Sequence, residues 1–126
     1  MSDLTPLAGH DYLSLQTRRK DGRTVATPVW FALEEGVAYA FTMADSGKVK
    51  RLRNFSQSKV APCDVRGKLV GEWLDTETVI LAERDEQERA RRALRRKYKV
   101  QMAVTDLFGT VTGRIRRRAY LAIRAA

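Results

Sequence analysis

The sequence predicts a mainly β protein: a six-stranded antiparallel barrel with a short basic helix and one or two surface helices. Apolar and polar residues alternate along Tyr12–Arg18, Thr24–Leu33 and Val37–Met43, the spacing of half-buried strands. Turn signals stand between these runs, Lys20-Asp21-Gly22-Arg23 and then Glu35-Gly36, so consecutive strands should pair antiparallel. Helical spacing is confined to the stretch after Ser46, the stretch after Asp85 and one shorter segment.

In Tyr12–Arg18, Leu13, Leu15 and Thr17 share one side while Tyr12, Ser14, Gln16 and Arg18 share the other. Thr24–Leu33 directs Val25, Thr27, Val29, Phe31 and Leu33 inward and Ala26, Pro28 and Trp30 outward, an outer face that reads as small and flat. Pro28 is anomalous, because a proline within a strand removes a ladder donor and belongs at an edge or bulge. The backbone there should be open on one side. Either this is an ordinary edge, or a flat ligand lies against Thr27, Pro28, Val29 and Trp30. The third strand alternates Val37, Tyr39, Phe41 and Met43 with Ala38, Ala40 and Thr42.

The next stretch, DSGKVKRLRN at Asp45–Asn54, starts a helix with Ser46 as N-cap. Val49, Leu52 and Phe55 recur every three residues as its buried stripe, which leaves Lys48, Lys50, Arg51 and Arg53 on other faces. Cations near a helix N-terminus oppose the macrodipole. A solvated basic face is the plain explanation of such a run; an anion held by free backbone N–H groups beside Lys48 and Arg51 is the functional one.

Lys59–Asp64 is expected as the fourth strand and Leu69–Leu81 as a long fifth, bulged at Gly71. Asp85–Tyr98 carries Asp85, Glu86 and Glu88 at its start and Arg95, Arg96 and Lys97 at its end, the order the dipole favours. Its thin stripe of Ala90, Ala93 and Leu94 makes it a surface helix. Val100–Phe108 adds a short helical turn packed through Met102, Val104, Leu107 and Phe108, Gly109–Gly113 is a loop, and Arg118–Arg124 is the closing strand. Such a barrel closes its own edges.

With 126 residues and 44% hydrophobic content, the chain reads as one domain spanning residues 1–126. No run of about 18 apolar residues occurs, and MSDLTPLAGHD lacks a basic and then apolar leader pattern, so no membrane span and a cytoplasmic location are expected. Cys63 is the only cysteine and His10 the only histidine. That excludes an intramolecular disulfide, a multi-cysteine zinc site and any catalytic pair of histidines; no metal site is expected, and Cys63 reads as a buried, inert thiol.

The net charge of +9 comes from 24 Lys and Arg against 15 Asp and Glu, clustered at Lys48–Arg53, Arg89–Lys99 and Arg114–Arg118. Both a nucleic-acid surface and a groove for one polyanionic small molecule use such clusters. Single-strand binders interleave stacking aromatics, and Arg89–Lys99 contains only Tyr98. A nucleic-acid partner is therefore not expected, although a basic nucleic-acid-binding barrel stays open as a distant alternative.

Three pieces, ATPVWF at Ala26–Phe31, ADSGKVKRLRN at Ala44–Asn54 and APCD at Ala61–Asp64, together resemble the pyridoxamine 5′-phosphate oxidase-like (PNPOx-like) split β-barrel family. Within it they are most similar to the class using the deazaflavin coenzyme F-420, and the likeness runs from about Tyr12 to the last strand. The resemblance implies that Thr27, Pro28, Val29 and Trp30 border the coenzyme ring. It implies that Ser46, Gly47, Lys48 and Arg51 hold its phosphate, with Lys50 and Arg51 assisting there or at its polyglutamate tail. It implies a homodimer with Trp73, Arg117 or Tyr120 crossing to the other subunit's site.

The implied activity is an oxidoreductase that transfers a hydride between F-420 and a small organic acceptor, with the proton supplied by solvent or Tyr120. Such transfer requires no protein nucleophile or metal, and no catalytic residue is named by the sequence. An FMN-binding flavoprotein of the same fold and a non-enzymatic coenzyme-binding protein are the alternatives. Relatives commonly carry a longer N-terminal helix and a proline after the basic helix, where this chain reads Phe55-Ser56-Gln57-Ser58. The arginine-rich C-terminal signature of true pyridoxamine-phosphate oxidases has no counterpart here, which argues against vitamin B6 synthesis.

Overall fold

Two tight turns set the first half of the chain. Asp21 Oδ1 accepts the Arg23 backbone N–H at 3.0 Å while Gly22 takes a φ of 91°. Glu35 and Gly36 follow with φ values of 50° and 80°, the paired left-handed geometry that matches the twist of a hairpin. The computed structural model describes residues 3–98 and 118–126. The strands are β1 (Tyr12–Arg18), β2 (Thr24–Glu34), β3 (Val37–Met43), β4 (Gln57–Cys63), β5 (Leu74–Ile80) and β6 (Arg118–Ala125). Helix α1 (Gly47–Asn54) joins β3 to β4, and α2 (Arg84–Lys97) follows β5.

The strands close an antiparallel barrel in the order β1-β2-β3-β6-β5-β4, the expected fold class. Val100–Phe108, Gly109–Gly113, Arg114 and Arg117 lie outside the described residues. Inside the barrel, Leu13, Leu15, Val29, Phe31, Ala40, Val60, Leu121 and Ile123 pack together. Leu4, which caps a 3-10 turn over Thr5–Leu7 that leads into β1, and Leu7, the last residue of that turn, join them at 2% and 0% exposure.

The fifth strand departs from expectation. It begins at Leu74 and not Leu69, and Leu69 makes only an isolated bridge to Cys63. Asp64 Oδ1 accepts the N–H groups of Arg66 and Lys68, both at 2.9 Å, around a left-handed Gly67 with φ of 90°. The chain so turned folds back over β4, and Gly71 is part of that return and not a bulge in β5. A Cβ on Gly71 would stand 2.5 Å from Pro62 Cγ. Gly67 meanwhile approaches the Pro28 ring. Ser14 pairs in register with both Pro28 and Ala61 and is 3% exposed.

The outer face of β2 is not flat either. Trp30 stacks on Tyr98 with ring centroids 5.0 Å apart and meets Phe41 edge-on at 6.3 Å. These rings belong to a second core, in which Ala90, Ala93 and Leu94 of α2 cover Ala32, Tyr39, Tyr120 and Ala122. The Tyr98 hydroxyl accepts the Phe31 N–H at 3.2 Å and can donate to the carbonyl of Phe31 or Asp11. Lys97 donates to the carbonyls of Phe31 and His10 and lies 3.8 Å over the Phe31 ring.

Candidate functional site

A seam runs down the barrel beside Pro28. The β2–β3 ladder covers only Phe31–Glu34 of β2, whereas β1 pairs with β2 from Thr24 to Trp30. Backbone groups of successive strand residues point to opposite sides. The Phe31 N–H and carbonyl go to Tyr98, which sits past the start of β1 next to the Asp11 carbonyl, so odd-numbered residues of β2 face β1. The nitrogen of Pro28 therefore faces the other way, along the unladdered stretch, where a missing donor leaves nothing unsatisfied. The proline marks the seam, as its position in the sequence suggested.

The other bank of the seam is the end of β3 and the start of α1. Continued in register, the β2–β3 pairing would set Pro28 opposite Met43, three residues before the N-cap Ser46. The two stretches singled out in the sequence thus adjoin the same opening. Side chains along Thr27–Trp30 alternate. Val29 points into the core at 7% exposure, Pro28 is exposed, and Trp30 joins the cluster under α2. Thr27 points inward, and its buried hydroxyl has no hydrogen-bond partner among the described residues.

Ser46 caps α1 as expected, its hydroxyl accepting the Val49 N–H at 3.4 Å and lying 3.5 Å from the Thr42 hydroxyl. Val49 and Leu52 are buried and pin the helix across the barrel end, with Phe55 half-buried just beyond it. That docking turns Lys48 and Arg51 towards the protein. Arg51 Nε donates to Thr17 Oγ1 at 2.6 Å, and its guanidinium lies over Gly47, where a Cβ would meet Nη1 at 2.7 Å. Lys50 and Arg53 are exposed on other faces of the helix.

No carboxylate pairs with Lys48, Lys50 or Arg51 among the described residues. Burial first, and then the Arg51 charge, hold the Lys48 ammonium below the ordinary lysine range. Burial, and then the Arg19 charge, act the same way on Arg51. Two adjacent, partly desolvated cations beside the open N–H groups of a helix start have the chemistry to attract a phosphate or carboxylate. Thr17 and Arg19 belong to this neighbourhood and escaped the sequence reading; a hydroxyl within the otherwise apolar series Leu13, Leu15, Thr17 was the available signal for the first.

Of the remaining residues named from the sequence, Tyr120 is 8% exposed against Phe41, and Trp73 is half-buried just before β5. Cys63 is buried, and burial followed by the Asp64 charge pushes its thiol up, in keeping with an unreactive side chain. Among the described residues no three His, Cys, Asp or Glu side chains gather as metal ligands. No described helix is long and apolar enough to cross a membrane.

No protein-family model and no curated protein sequence matches the chain. Solved structures do match it in shape. The heme storage protein HutZ from Vibrio cholerae aligns with a TM-score of 0.69 at 9% identity, over 94% of this chain and 83% of that one. A FAD-binding protein from Mesorhizobium loti aligns with a TM-score of 0.64 at 18% identity, over 95% and 82%. A Listeria innocua protein provisionally described as a pyridoxamine 5′-phosphate oxidase aligns with a TM-score of 0.62 at 12% identity, over 97% and 89%. The chain is therefore a split-barrel protein in fold. At these identities the likeness extends to architecture alone.

Proposed function

We propose that the chain is a coenzyme-dependent oxidoreductase that binds F-420 along the β2 seam with the coenzyme phosphate on α1. The observation that carries this reading is the Lys48–Arg51 pair: two partly buried cations with no acid partner among the described residues, at a capped helix start, on the bank of an opening where β2 has no ladder to β3. Lys48 and Arg51 would hold the phosphate, with Lys50 meeting only an acidic tail that reaches solvent. When bound, the deazaflavin supplies the hydride chemistry. The protein contributes position and support from the strand.

FMN in the same seam is the second reading, favoured by the FAD-binding description of the M. loti neighbour. The chain is proposed to act as a homodimer on a small organic acceptor. Titration of the purified protein with F-420 and FMN side by side tests the reading. Saturable F-420 binding that collapses in Lys48→Ala is expected. Tight FMN binding with none for F-420 would replace the first coenzyme with the second, and affinity for neither would overturn both.

A further inference from the structure

The β1–β2 turn carries a cation that neither the coenzyme reading nor the hairpin itself uses. At the end of β1, Thr17 is buried in the barrel and Arg18 is exposed on the other face, so Arg19 returns to the side of Thr17 just past the last strand residue. Its backbone is fixed there, the amide donating to the Arg23 carbonyl at 2.7 Å and the carbonyl accepting from Gly22 at 3.0 Å. The neighbouring Asp21 carboxylate is taken by Arg23, 2.7 Å from both Nε and Nη2. Arg19 is exposed and has no ion-pair partner among the described residues.

Helix α1 brings Arg51 to the same place. Arg51 Nε donates to Thr17 Oγ1 at 2.6 Å, and Thr17 is two residues, about 7 Å of extended chain, from Arg19. Lys48 stands three residues before Arg51, about 5 Å along the helix. Burial and then the Arg19 charge lower the Arg51 pKa, and burial and then the Arg51 charge lower that of Lys48. The three cations therefore form a row, Lys48–Arg51–Arg19, from the start of α1 to the β1–β2 turn. A phosphate on the Lys48–Arg51 end leaves Arg19 on the far side of Arg51. Like charges side by side repel, and an anion long enough to follow the row relieves that repulsion throughout.

We infer that Arg19 is a specificity-determining residue: it takes a second anionic group of the molecule whose phosphate sits on Lys48 and Arg51, so the site selects ligands with two separated anionic groups over ligands with one. The inference rests on the coenzyme reading for the molecule concerned. F-420 meets the requirement with its phosphate and a carboxylate of its tail, whereas FMN offers the phosphate alone. Arg18, one residue earlier on the opposite face, takes no part.

Amide chemical shifts of the full chain, titrated at low salt with inorganic triphosphate and with inorganic phosphate, test the inference without a coenzyme. Triphosphate should bind the more tightly, and Arg19→Gln should weaken it about tenfold while changing phosphate affinity less than about twofold. Arg18→Gln removes the same charge from the same strand and should change neither. Both side chains are exposed, so neither substitution disturbs the core. With the coenzymes, Arg19→Gln should weaken F-420 about tenfold and leave FMN as it was. Triphosphate losses that are equal in the two variants, losses in Arg19→Gln that are equal for both anions, or no loss at all would each overturn the role of Arg19. A protein that binds neither coenzyme yet keeps an Arg19-dependent preference for triphosphate would discard the coenzyme reading and leave the two-group site standing.

Discussion

Helices α1 and α2 are both rich in arginine and lysine, and their surroundings use that charge in opposite ways. In α2, Asp85 and Glu86 occupy the first turn and Arg95, Arg96 and Lys97 the last, so the macrodipole is complemented at both ends. Glu88 pairs with Arg91 and Arg92, and Arg96 pairs with Glu34 at 2.6 Å. Helix α1 has no acid in its first turn and holds Lys48 and Arg51 partly in the protein, with no carboxylate paired to either among the described residues. A count of basic residues therefore does not distinguish the two helices. Desolvated positive charge without a paired acid among the described residues does, and that is why the anion site is proposed on α1.

The largest expected effect tests that contrast directly. Replacing Lys48 and Arg51 together with alanine should weaken coenzyme binding by about a hundredfold or more in calorimetric titration. The same treatment of Arg89 and Arg92 should change it less than about twofold, and equal losses would erase the distinction between the helices.

Tyr98→Phe should cost about 1–3 kcal/mol in denaturant unfolding by leaving the Phe31 backbone without its partner, with coenzyme affinity unchanged. Burial above all raises the Tyr98 pKa, so its contribution is present below the unfolded tyrosine value of about 10 and is lost as pH rises beyond it.

Lys48 titrates with the opposite sign. Its folded pKa lies below the unfolded value of 10.5, so the unfolded chain binds more protons in that window and stability without ligand should rise with pH. Coenzyme affinity should fall over the same window as the ammonium is lost. Lys48→Arg should bind without that fall, and an unchanged pH profile would remove Lys48 from the phosphate.

Gly47→Ala should displace the Arg51 guanidinium, a movable group, and so reduce affinity several-fold at a stability change within about 0.5 kcal/mol. Smallest of all, Arg96→Gln should cost no more than about 1 kcal/mol, because the arginine end of that ion pair is 70% exposed.

The strands were legible wherever alternation met a tight turn: β1 and β3 begin and end where the pattern does, and the α1 cap and stripe follow from Ser46, Val49 and Leu52. Legibility failed where distant segments meet. Nothing local announces that Gly71 returns against Pro62, so the apolar run after Leu69 read as strand. The outer face of β2 looked open because Tyr98, which covers Trp30, is far away in sequence. Leu4 and Leu7 drew no assignment because two leucines around Pro6 carry no period. For the site, the cations and the open strand were visible in the sequence, but their shared seam depends on where the β2–β3 ladder stops.

The hydroxyl of Tyr98 completes a strand pairing from 67 residues away, and this has a consequence for the order of folding. The β1–β2 and β2–β3 hairpins can form early from neighbouring residues, with the Phe31 amide still hydrated. Closing so long a loop is entropically expensive and comes late. Phe at position 98 should therefore leave the refolding rate nearly unchanged and accelerate unfolding, a φ-value near zero. The aromatic lock would then govern how long the barrel stays shut, with little say in how quickly it forms.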